Sequence, residues 1–323
     1  MKLGSFLVLA SLAVPFAPGC AAETGDAAPD GDAQSTSTAA DALSVFQWSS
    51  PLGSLTASSD DAPALEAFGN KVHMVYTEAG GTALRHRAFD GLSWSTPYSI
   101  ANQSSKNRPA LAKLTPKGGT EALYMVHQGA STNDLWWSRY NGTYWTENSN
   151  LGFTSYRAPM MASYGGMLHL FGTYLVDQSE CLKEWTYDGK NWVTAPSVGI
   201  CGFEGMAIAV YNGVPTMVLR RPDNGLAMYR LVNGRWTGSL IPGQKSKSAP
   251  ALAAHGGYLH MTHLGDSSDN IWWSVYDGTS WSSNVTIPGH TSQWVPALAS
   301  TGPLLVQGFK GSANSTLYYS TFH

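Results

Sequence analysis

The stretch PALAAHGGYLHMTHLGDSSDNIWWSVYDGTSWSSNVTI, residues 250–287, carries the pattern that decides the fold. It contains four short runs of residues that favour β-strands, separated by glycine-containing or polar turns. Between the third and fourth runs, Asp277-Gly278 is a strong hairpin signal because both residues tolerate a positive φ. The stretch therefore predicts one unit of four antiparallel strands.

The same unit recurs along the chain with a period of 45 to 50 residues. Six triplets mark the inner strands: Pro63-Ala64-Leu65, Pro109-Ala110-Leu111, Pro159-Met160-Met161, Gly205-Met206-Ala207, Pro250-Ala251-Leu252 and Pro296-Ala297-Leu298. Five Asp-Gly or Asn-Gly turns are each followed by a tryptophan: Trp94, Trp145, Trp192, Trp236 and Trp281. Four-stranded units of this period are typical of the blades of a β-propeller.

The sixth repeat stops at Phe322-His323, before its fourth strand. Residues 44–49 resemble an outer strand without the three strands that should precede it, and Trp48 lies 46 residues before Trp94. Pairing of this segment into the last blade would remove an exposed sheet edge. We therefore predict an all-β, six-bladed β-propeller of four-stranded antiparallel blades over residues 43–323, closed by the N-terminal strand. An open or seven-bladed ring would need strands that the sequence lacks.

The N-terminus has the features of an export signal. Lys2 precedes an apolar run, residues 3–17, that is too short to span a bilayer. Gly19-Cys20 resembles the lipobox of bacterial lipoproteins, so residues 1–20 predict a signal peptide with lipidation at Cys20. Residues 21–42 are rich in Ala, Asp, Ser and Thr and predict a disordered tether. We expect a cell-envelope lipoprotein that meets the membrane only through this anchor; ordinary secretion is the alternative.

The charge and the cysteine content limit which partners, metals and disulfides are expected. The formal net charge is -3 and there is no cluster of Lys and Arg, so nucleic acid is not an expected partner. No metal or cofactor is expected, although the loop 266–270 is rich in oxygen ligands and calcium stays open there. Cys181 and Cys201 fall on loops at one face of a four-stranded meander, and export exposes them to oxidising conditions. We predict a disulfide that locks blade 3 to blade 4.

The aromatic residues divide into two groups. The tryptophans after the turns occur once per repeat and are interpreted as packing between blades. The third strands carry adjacent pairs, Trp136-Trp137, Trp272-Trp273 and Tyr318-Tyr319, whose members point to opposite faces. At least one of each pair should be core, and the other could stack on a sugar at the rim of a groove between blades. Trp137 and Trp273 are the predicted platforms, with core packing of both members as the alternative.

The inner Pro-Ala-Leu, Trp-Trp-Ser and Tyr-Asp-Gly-x-x-Trp motifs resemble the fucose-lectin-type propellers of bacteria and fungi. The resemblance covers the chain from Ser44 onward. It implies sugar pockets between adjacent blades, built from an Arg, a Glu and a Trp, and it places Glu184 at the position of the sugar-binding acid. The other repeats carry a different residue there: His86, Trp137, Tyr229, Trp273 and Tyr319.

The arginine of that pattern is absent from the second strands. The residues near its position are His73, Tyr124, His169, Thr216 and His260. The histidines His73, His169 and His260 are candidate donors to a ligand hydroxyl; buried, internally satisfied histidines are the equal alternative. The resemblance therefore implies the propeller fold but does not imply specificity for fucose. Residues 274–281 also resemble the Asp box of sialidases, a turn-stabilising feature that supports the same architecture.

A glycosidase would need paired carboxylates or the arginine cluster of sialidases. Four acidic residues are scattered among the repeats: Glu66, Glu121, Glu204 and Asp266. Leu219-Arg220-Arg221-Pro222 bears a faint likeness to the Arg-Ile-Pro motif of sialidases. The sequence thus favours a lectin-like propeller that binds glycans between blades without catalysis, on the face of the two-to-three and four-to-one loops. The alternatives are a protein-interaction scaffold or a sialidase-like glycoside hydrolase.

Overall fold

A computed structural model describes residues 47–50 and 54–323. The predicted signal peptide, Cys20 and the tether lie outside these residues. In the part of the chain that is described, β-strands are the only regular elements. No helix there has the length and apolar character needed to cross a membrane.

The strands form six antiparallel sheets of four strands each, which confirms the six-bladed propeller. The first strand, β1 (Ser54–Ser58), belongs to the last blade. Blades 1 and 2 consist of β2 (Ala64–Phe68), β3 (Lys71–Thr77), β4 (Ala83–Phe89) and β5 (Tyr98–Ser104), then β6 (Ala110–Leu114), β7 (Ala122–Gln128), β8 (Asp134–Tyr140) and β9 (Ser149–Thr154). Blades 3 and 4 consist of β10 (Met160–Tyr164), β11 (Met167–Val176), β12 (Ser179–Tyr187) and β13 (Trp192–Thr194), then β14 (Gly205–Tyr211), β15 (Val214–Arg220), β16 (Gly225–Val232) and β17 (Arg235–Lys245).

Blades 5 and 6 complete the ring. They consist of β18 (Ala251–His255), β19 (Tyr258–Leu264), β20 (Asn270–Tyr276) and β21 (Val285–Thr291), then β22 (Ala297–Ser300), β23 (Leu305–Lys310), β24 (Thr316–Phe322) and β1. In every blade the first strand of the repeat lies innermost and contacts the inner strands of its neighbours. The predicted inner-strand triplets therefore line the axis of the ring.

The N-terminal segment closes the ring. Strand β1 pairs antiparallel with β24, and Trp48 forms an isolated bridge with Phe322. The backbone N–H of Gln47 donates to the carbonyl of His323 over 2.9 Å. The closing segment is longer than the predicted residues 44–49, because the main run of pairing lies at β1; residues 44–46 are outside the described part.

The Asp-Gly turns use the aspartate side chain as well as the glycine. Gly278 has a φ of 104°, and Asp277 Oδ1 accepts the backbone N–H groups of Thr279 and Ser280 over 2.7 and 2.8 Å. Only glycine takes the left-handed conformation here, since Asp277 is absent from the residues with positive φ. The aspartate is thus preferred because it caps the turn, a different reason from the conformational one on which the prediction relied.

Six apolar clusters fill the spaces between adjacent blades, one at each boundary. Each cluster receives one partly buried turn tryptophan: Trp48, Trp94, Trp145, Trp192, Trp236 or Trp281. Burying such a side chain contributes roughly 1.5–3 kcal/mol. The interpretation of these residues as wedges between blades is confirmed.

The predicted disulfide between Cys181 and Cys201 is present. Cys181 lies on β12, and Cys201 forms a backbone bridge beside it in the connection that leads to β14. The bond therefore holds the connection to blade 4 against the sheet of blade 3. Closing a loop of this size contributes about 3 kcal/mol in the chain-entropy model.

Candidate functional site

The two predicted aromatic platforms lie in the interfaces between blades. Trp273 is 3% exposed, and its indole N–H donates to His260 Nδ1 over 3.2 Å. Its ring is also covered by Trp48 and Phe322 of blade 6. No ring face is left for a ligand, which corrects the expectation for Trp273. Its burial follows from closure of the ring, because the covering residues come from opposite ends of the chain.

Trp137 is half-buried and packs in the interface between blades 2 and 3, on the opposite side of the ring from Trp273. Its ring lies 5.4 Å from that of Tyr187 and 6.1 Å from that of Trp192, both in blade 3. The ring of Tyr124 stacks against it at 6.2 Å. Trp137 therefore packs as a wedge, with part of its ring at the surface.

The second-strand histidines are buried. His73 Nδ1 lies 2.8 Å from His86 Nε2, and His260 accepts the Trp273 N–H. Burial lowers the pKa of His73 to about 4 and that of His260 to about 3. Both rings are neutral near pH 7 and already have partners, so the alternative of internally satisfied histidines fits these two positions.

Glu184 and His169 are brought together in blade 3. His169 Nδ1 lies 2.6 Å from Glu184 Oε1, and the hydroxyl of Tyr164 donates to the same oxygen over 3.3 Å. The Tyr164 ring stacks on His169 with centroids 3.4 Å apart. Tyr164, at the end of the inner strand β10, was not predicted; blade 4 carries a tyrosine at the equivalent position, Tyr211, whereas the other blades do not.

The Glu184 cluster keeps one open hydrogen-bonding position. The Glu184 side chain is 13% exposed, and His169 Nε2 is buried with no partner among residues 47–50 and 54–323. Register confirms the equivalence used in the sequence comparison, because Glu184 pairs with Phe171 as Trp137 pairs with Val126. The cluster is therefore a partly buried polar group at the position where blades 2 and 5 carry the tryptophans Trp137 and Trp273.

A large open groove lies between blades 1 and 2. Its volume is about 770 Å³, within the range typical of ligand sites. One wall is the end of β5, and the other consists of the loop after β7, the Trp136 ring and the segment after Trp145. We call it the blade 1–2 groove. Trp136, the partner of Trp137 in the aromatic pair, is the half-buried ring that faces it.

Polar side chains are held in place beside the Trp136 ring. His127 Nδ1 lies 2.8 Å from the Gln128 carbonyl, and its Nε2 lies 3.1 Å from the side-chain amide of Asn148. Burial lowers the pKa of His127, and the two contacts, from Nδ1 to the Gln128 carbonyl and from Nε2 to Asn148 Oδ1, hold the ring between backbone and side chain. The buried histidine thereby positions Asn148, which lines the groove.

A glycine lets the loop after the second strand approach the aromatic ring. A Cβ on Gly129 would lie 2.5 Å from Thr132 Oγ1 and 3.4 Å from Trp136 Nε1. The arrangement recurs at Gly265 beside Trp272 and at Gly311 beside Tyr318. These glycines are the signal that could have selected the groove-facing member of each aromatic pair.

A second groove of the same kind lies between blades 5 and 6. Its volume is 210 Å³, and its lining includes Gly289, Phe309, Asn314 and Tyr318. Blade 5 itself repeats the polar pair of blade 2, because Asn284 Nδ2 lies 3.0 Å from His263 Nε2. The groove type is therefore repeated around the ring, on the predicted face of the two-to-three and four-to-one loops.

No metal site is evident in the described ranges, where no three His, Cys, Asp or Glu side chains are grouped to hold an ion. In the oxygen-rich loop 266–270, Asp269 pairs with Lys247 and Asp266 accepts from Asn224. Both carboxylates of this loop are therefore hydrogen-bonded to side chains of the protein.

No protein-family model matches the chain, and no curated protein matches its sequence. Many solved structures share its fold. The Hadza microbial sialidase Hz136 aligns with a TM-score of 0.63 and 13% identity over 80% of this chain, which spans only 65% of that protein. The fucose-recognising fungal lectin of Aleuria aurantia aligns with a TM-score of 0.60 and 13% identity, covering 83% of this chain and 92% of the lectin. AofleA from Arthrobotrys oligospora aligns with a TM-score of 0.60 and 13% identity over 81% of this chain and 83% of its own. At these identities the likeness shows the fold alone: this chain has the six-bladed propeller architecture of those proteins.

Proposed function

We propose that the chain is a lectin-like propeller that binds glycans in grooves between its blades, without catalysis. The observation that carries this proposal is the blade 1–2 groove, where the Trp136 ring stands beside Asn148 held by His127. An aromatic face with adjacent fixed hydrogen-bonding groups suits a sugar, whose ring has an apolar face and polar edges. Trp136 replaces Trp273 as the first candidate platform.

The likeness to fucose-binding lectins supports this proposal. The Aleuria aurantia lectin is described in complex with α-methyl-L-fucoside, and SapL1 is described in complex with α-methyl fucoside. The present chain shares their fold but not the arginine expected on the second strand. We therefore propose glycan binding as the class of activity, with the sugar set by the residues of this chain's own grooves.

Glu184 with His169 is the second candidate site. Its carboxylate is partly exposed and His169 Nε2 has no partner in the described part of the chain, so a sugar hydroxyl could bind between them. Trp137 lies in a different interface, between blades 2 and 3, where the exposed part of its ring is a separate candidate platform. We assign His73 and His260 to packing, because each is buried and engaged.

We further propose that the propeller acts outside the cytoplasm. The disulfide between Cys181 and Cys201 supports this location, since such bonds persist in oxidising compartments. The export signal, the tether of residues 21–42 and the lipid anchor at Cys20 would display the grooves at the cell envelope. Labelling of cells with radioactive palmitate, compared between the parent and Cys20→Ala, tests the anchor separately from sugar binding.

Replacing Trp136 tests the groove. A glycan array identifies the strongest ligand, and calorimetry then compares its affinity for the parent and for Trp136→Ala. We expect the variant to bind about tenfold or more weakly, because a stacked ring contributes roughly 1–3 kcal/mol. Trp136→Phe should restore part of the affinity.

Tyr144→Ala is the matched control. Tyr144 is an exposed aromatic in the same blade, 61% accessible, on the turn at the opposite end of the strands. Its loss should leave the affinity unchanged. Equal affinity of parent and Trp136→Ala, with folding intact, would contradict the groove assignment, and turnover of a glycoside reporter would contradict the absence of catalysis.

A further inference from the structure

A second cavity of 580 Å³ opens at one end of the propeller axis. The loops that lead into the inner strands of all six blades contribute to its lining, together with β15 and the loop after β7. We call it the axial mouth. It is separate from the blade 1–2 groove, since the two cavities share no lining residue.

More cations than carboxylates line the axial mouth, on a molecule whose formal net charge is -3. Two of its side chains are carboxylates, Asp61 and Glu204. Five are cations: Lys106, Arg108, Arg157, Arg220 and Lys247. A concave site lined by one sign of charge concentrates ligands of the opposite sign.

Internal carboxylates engage three of these cations. Arg157 pairs with the buried Glu180, Arg220 with Glu204, and Lys247 with Asp269. These contacts fix the orientation of the two guanidinium groups. Arg220 Nε is nevertheless buried without a hydrogen-bond partner in the described residues, so its capacity to donate is not used up.

Lys106 and Arg108 form no ion pair within the described residues; Lys106 is exposed and donates to Asn133, whereas Arg108 is half-buried. Its guanidinium donates to the sulfur of Met160, 3.2 Å from Nη2, and sulfur is a weak acceptor. Asp61 lies close, but its Oδ2 accepts the backbone N–H of Arg108 over 2.7 Å. No carboxylate of residues 47–50 or 54–323 forms an ion pair with this guanidinium. Burial lowers the pKa of Arg108, and the charge of the nearby Asp61 opposes this shift.

Arg108 also lies at the base of the axial mouth. It lines both this cavity and the narrow channel that continues along the axis between the inner strands. A half-buried guanidinium costs free energy unless an anion compensates it. The position therefore favours an anionic group that enters from the mouth and reaches Arg108.

We propose that the axial mouth binds the carboxylate of an acidic sugar, with Arg108 as its main ligand. The planar fork of a guanidinium matches a carboxylate through two parallel hydrogen bonds. Tyr156, which is 50% exposed, supplies aromatic surface beside the cations for the sugar ring. The volume is sufficient for one or two sugar units.

A pair of probes that differ only in the charged group tests this inference. Methyl β-D-glucuronide and methyl β-D-glucoside are titrated into the folded protein by calorimetry at low ionic strength. We expect binding of the glucuronide, weakening as salt is raised, and at least tenfold weaker binding of the glucoside. Equal affinities for the two sugars would overturn the proposal, as would displacement of the glucuronide by an equal concentration of inorganic phosphate.

Arg108→Met separates binding from folding. We expect it to lower the affinity for the glucuronide by about 10- to 100-fold while the melting temperature stays the same or rises, because a buried unpaired charge is removed. Arg230→Met is the matched control, since Arg230 is also a half-buried arginine without an ion pair but lies outside the mouth. Unchanged affinity in Arg108→Met would overturn the proposal. Trp136→Ala should leave the affinity for the glucuronide unchanged. A wrong assignment of the blade 1–2 groove can therefore be told apart from a wrong assignment of the axial mouth.

Discussion

Glu66 shows how the channel along the axis affects a single ionisable group. It lies on β2, faces the channel, and burial raises its pKa to about 7 against the opposing effect of Lys113. Below pH 4.5, the pKa of this carboxyl in the unfolded chain, the group is protonated in both the folded and the unfolded state. It then does not change the free energy of unfolding. As pH rises from 4.5 to about 7 the unfolded chain ionises first, so the folded state loses stability and the loss is complete above pH 7.

Glu66→Gln should remove this pH-dependent cost. We expect the variant to gain at most about 3 kcal/mol over the parent at pH 8 and almost nothing at pH 4.5. Chemical denaturation across this range measures the difference, with the exposed Glu147→Gln as a control that should show no such trend. A difference that does not change with pH would mean that Glu66 ionises normally in the folded protein.

Residue identity alone could not select the groove-facing aromatic ring. Trp136 and Trp137 are adjacent and chemically identical, so their exposure depends on which neighbouring blade covers each face. Trp137 meets the turn tryptophan of blade 3, whereas Trp136 meets the end of β5 and the loop that Gly129 permits. The spacing of repeats could show that one ring is core, but not which one.

The strand β1 is the element on which closure of the ring depends. It buries Leu55 and Ala57 in the interface between blades 6 and 1, and the Leu55 carbonyl accepts from Arg87 over 2.7 Å. Removing residues 47–58 should cost at least about 3 kcal/mol, since buried apolar groups and strand hydrogen bonds are lost together. Thermal denaturation measures the loss, and removal of residues 21–42 is the control that should have no effect. An unchanged melting temperature without residues 47–58 would show that another segment closes blade 6.

The elements themselves were the most predictable part of the chain. Five repeats carry the turn, the inner triplet and the tryptophan, so local patterns indicated four strands in each of these five and three in the sixth. The extent of β1 was less predictable, because a closing strand has no hairpin partner beside it in sequence. The disulfide could be predicted because strand order brings the two cysteine-bearing segments to one sheet edge.

The arrangement of the intact ring creates sites that no single repeat contains. Arg108 and Arg157 enter the axial mouth on loops from blades 2 and 3, and Arg220 enters from blade 4. In the repeat, the residue before the inner triplet varies freely, being Ala62, Arg108, Ala158, Glu204, Ala249 or Val295. Only closure of the ring places these variable residues around one cavity, so the sequence indicated the propeller without indicating its basic mouth.

The central claim is that glycans bind between blades on the face of the two-to-three and four-to-one loops. Hydrogen exchange measured with and without the strongest array ligand tests it most directly, because protection maps the bound surface along the chain. The account predicts slower exchange in residues 129–136 and 145–148, which line the blade 1–2 groove, with no change at the turn of Asp277 on the opposite face. Protection confined to the Asp-Gly turns, with none in the groove, would contradict it.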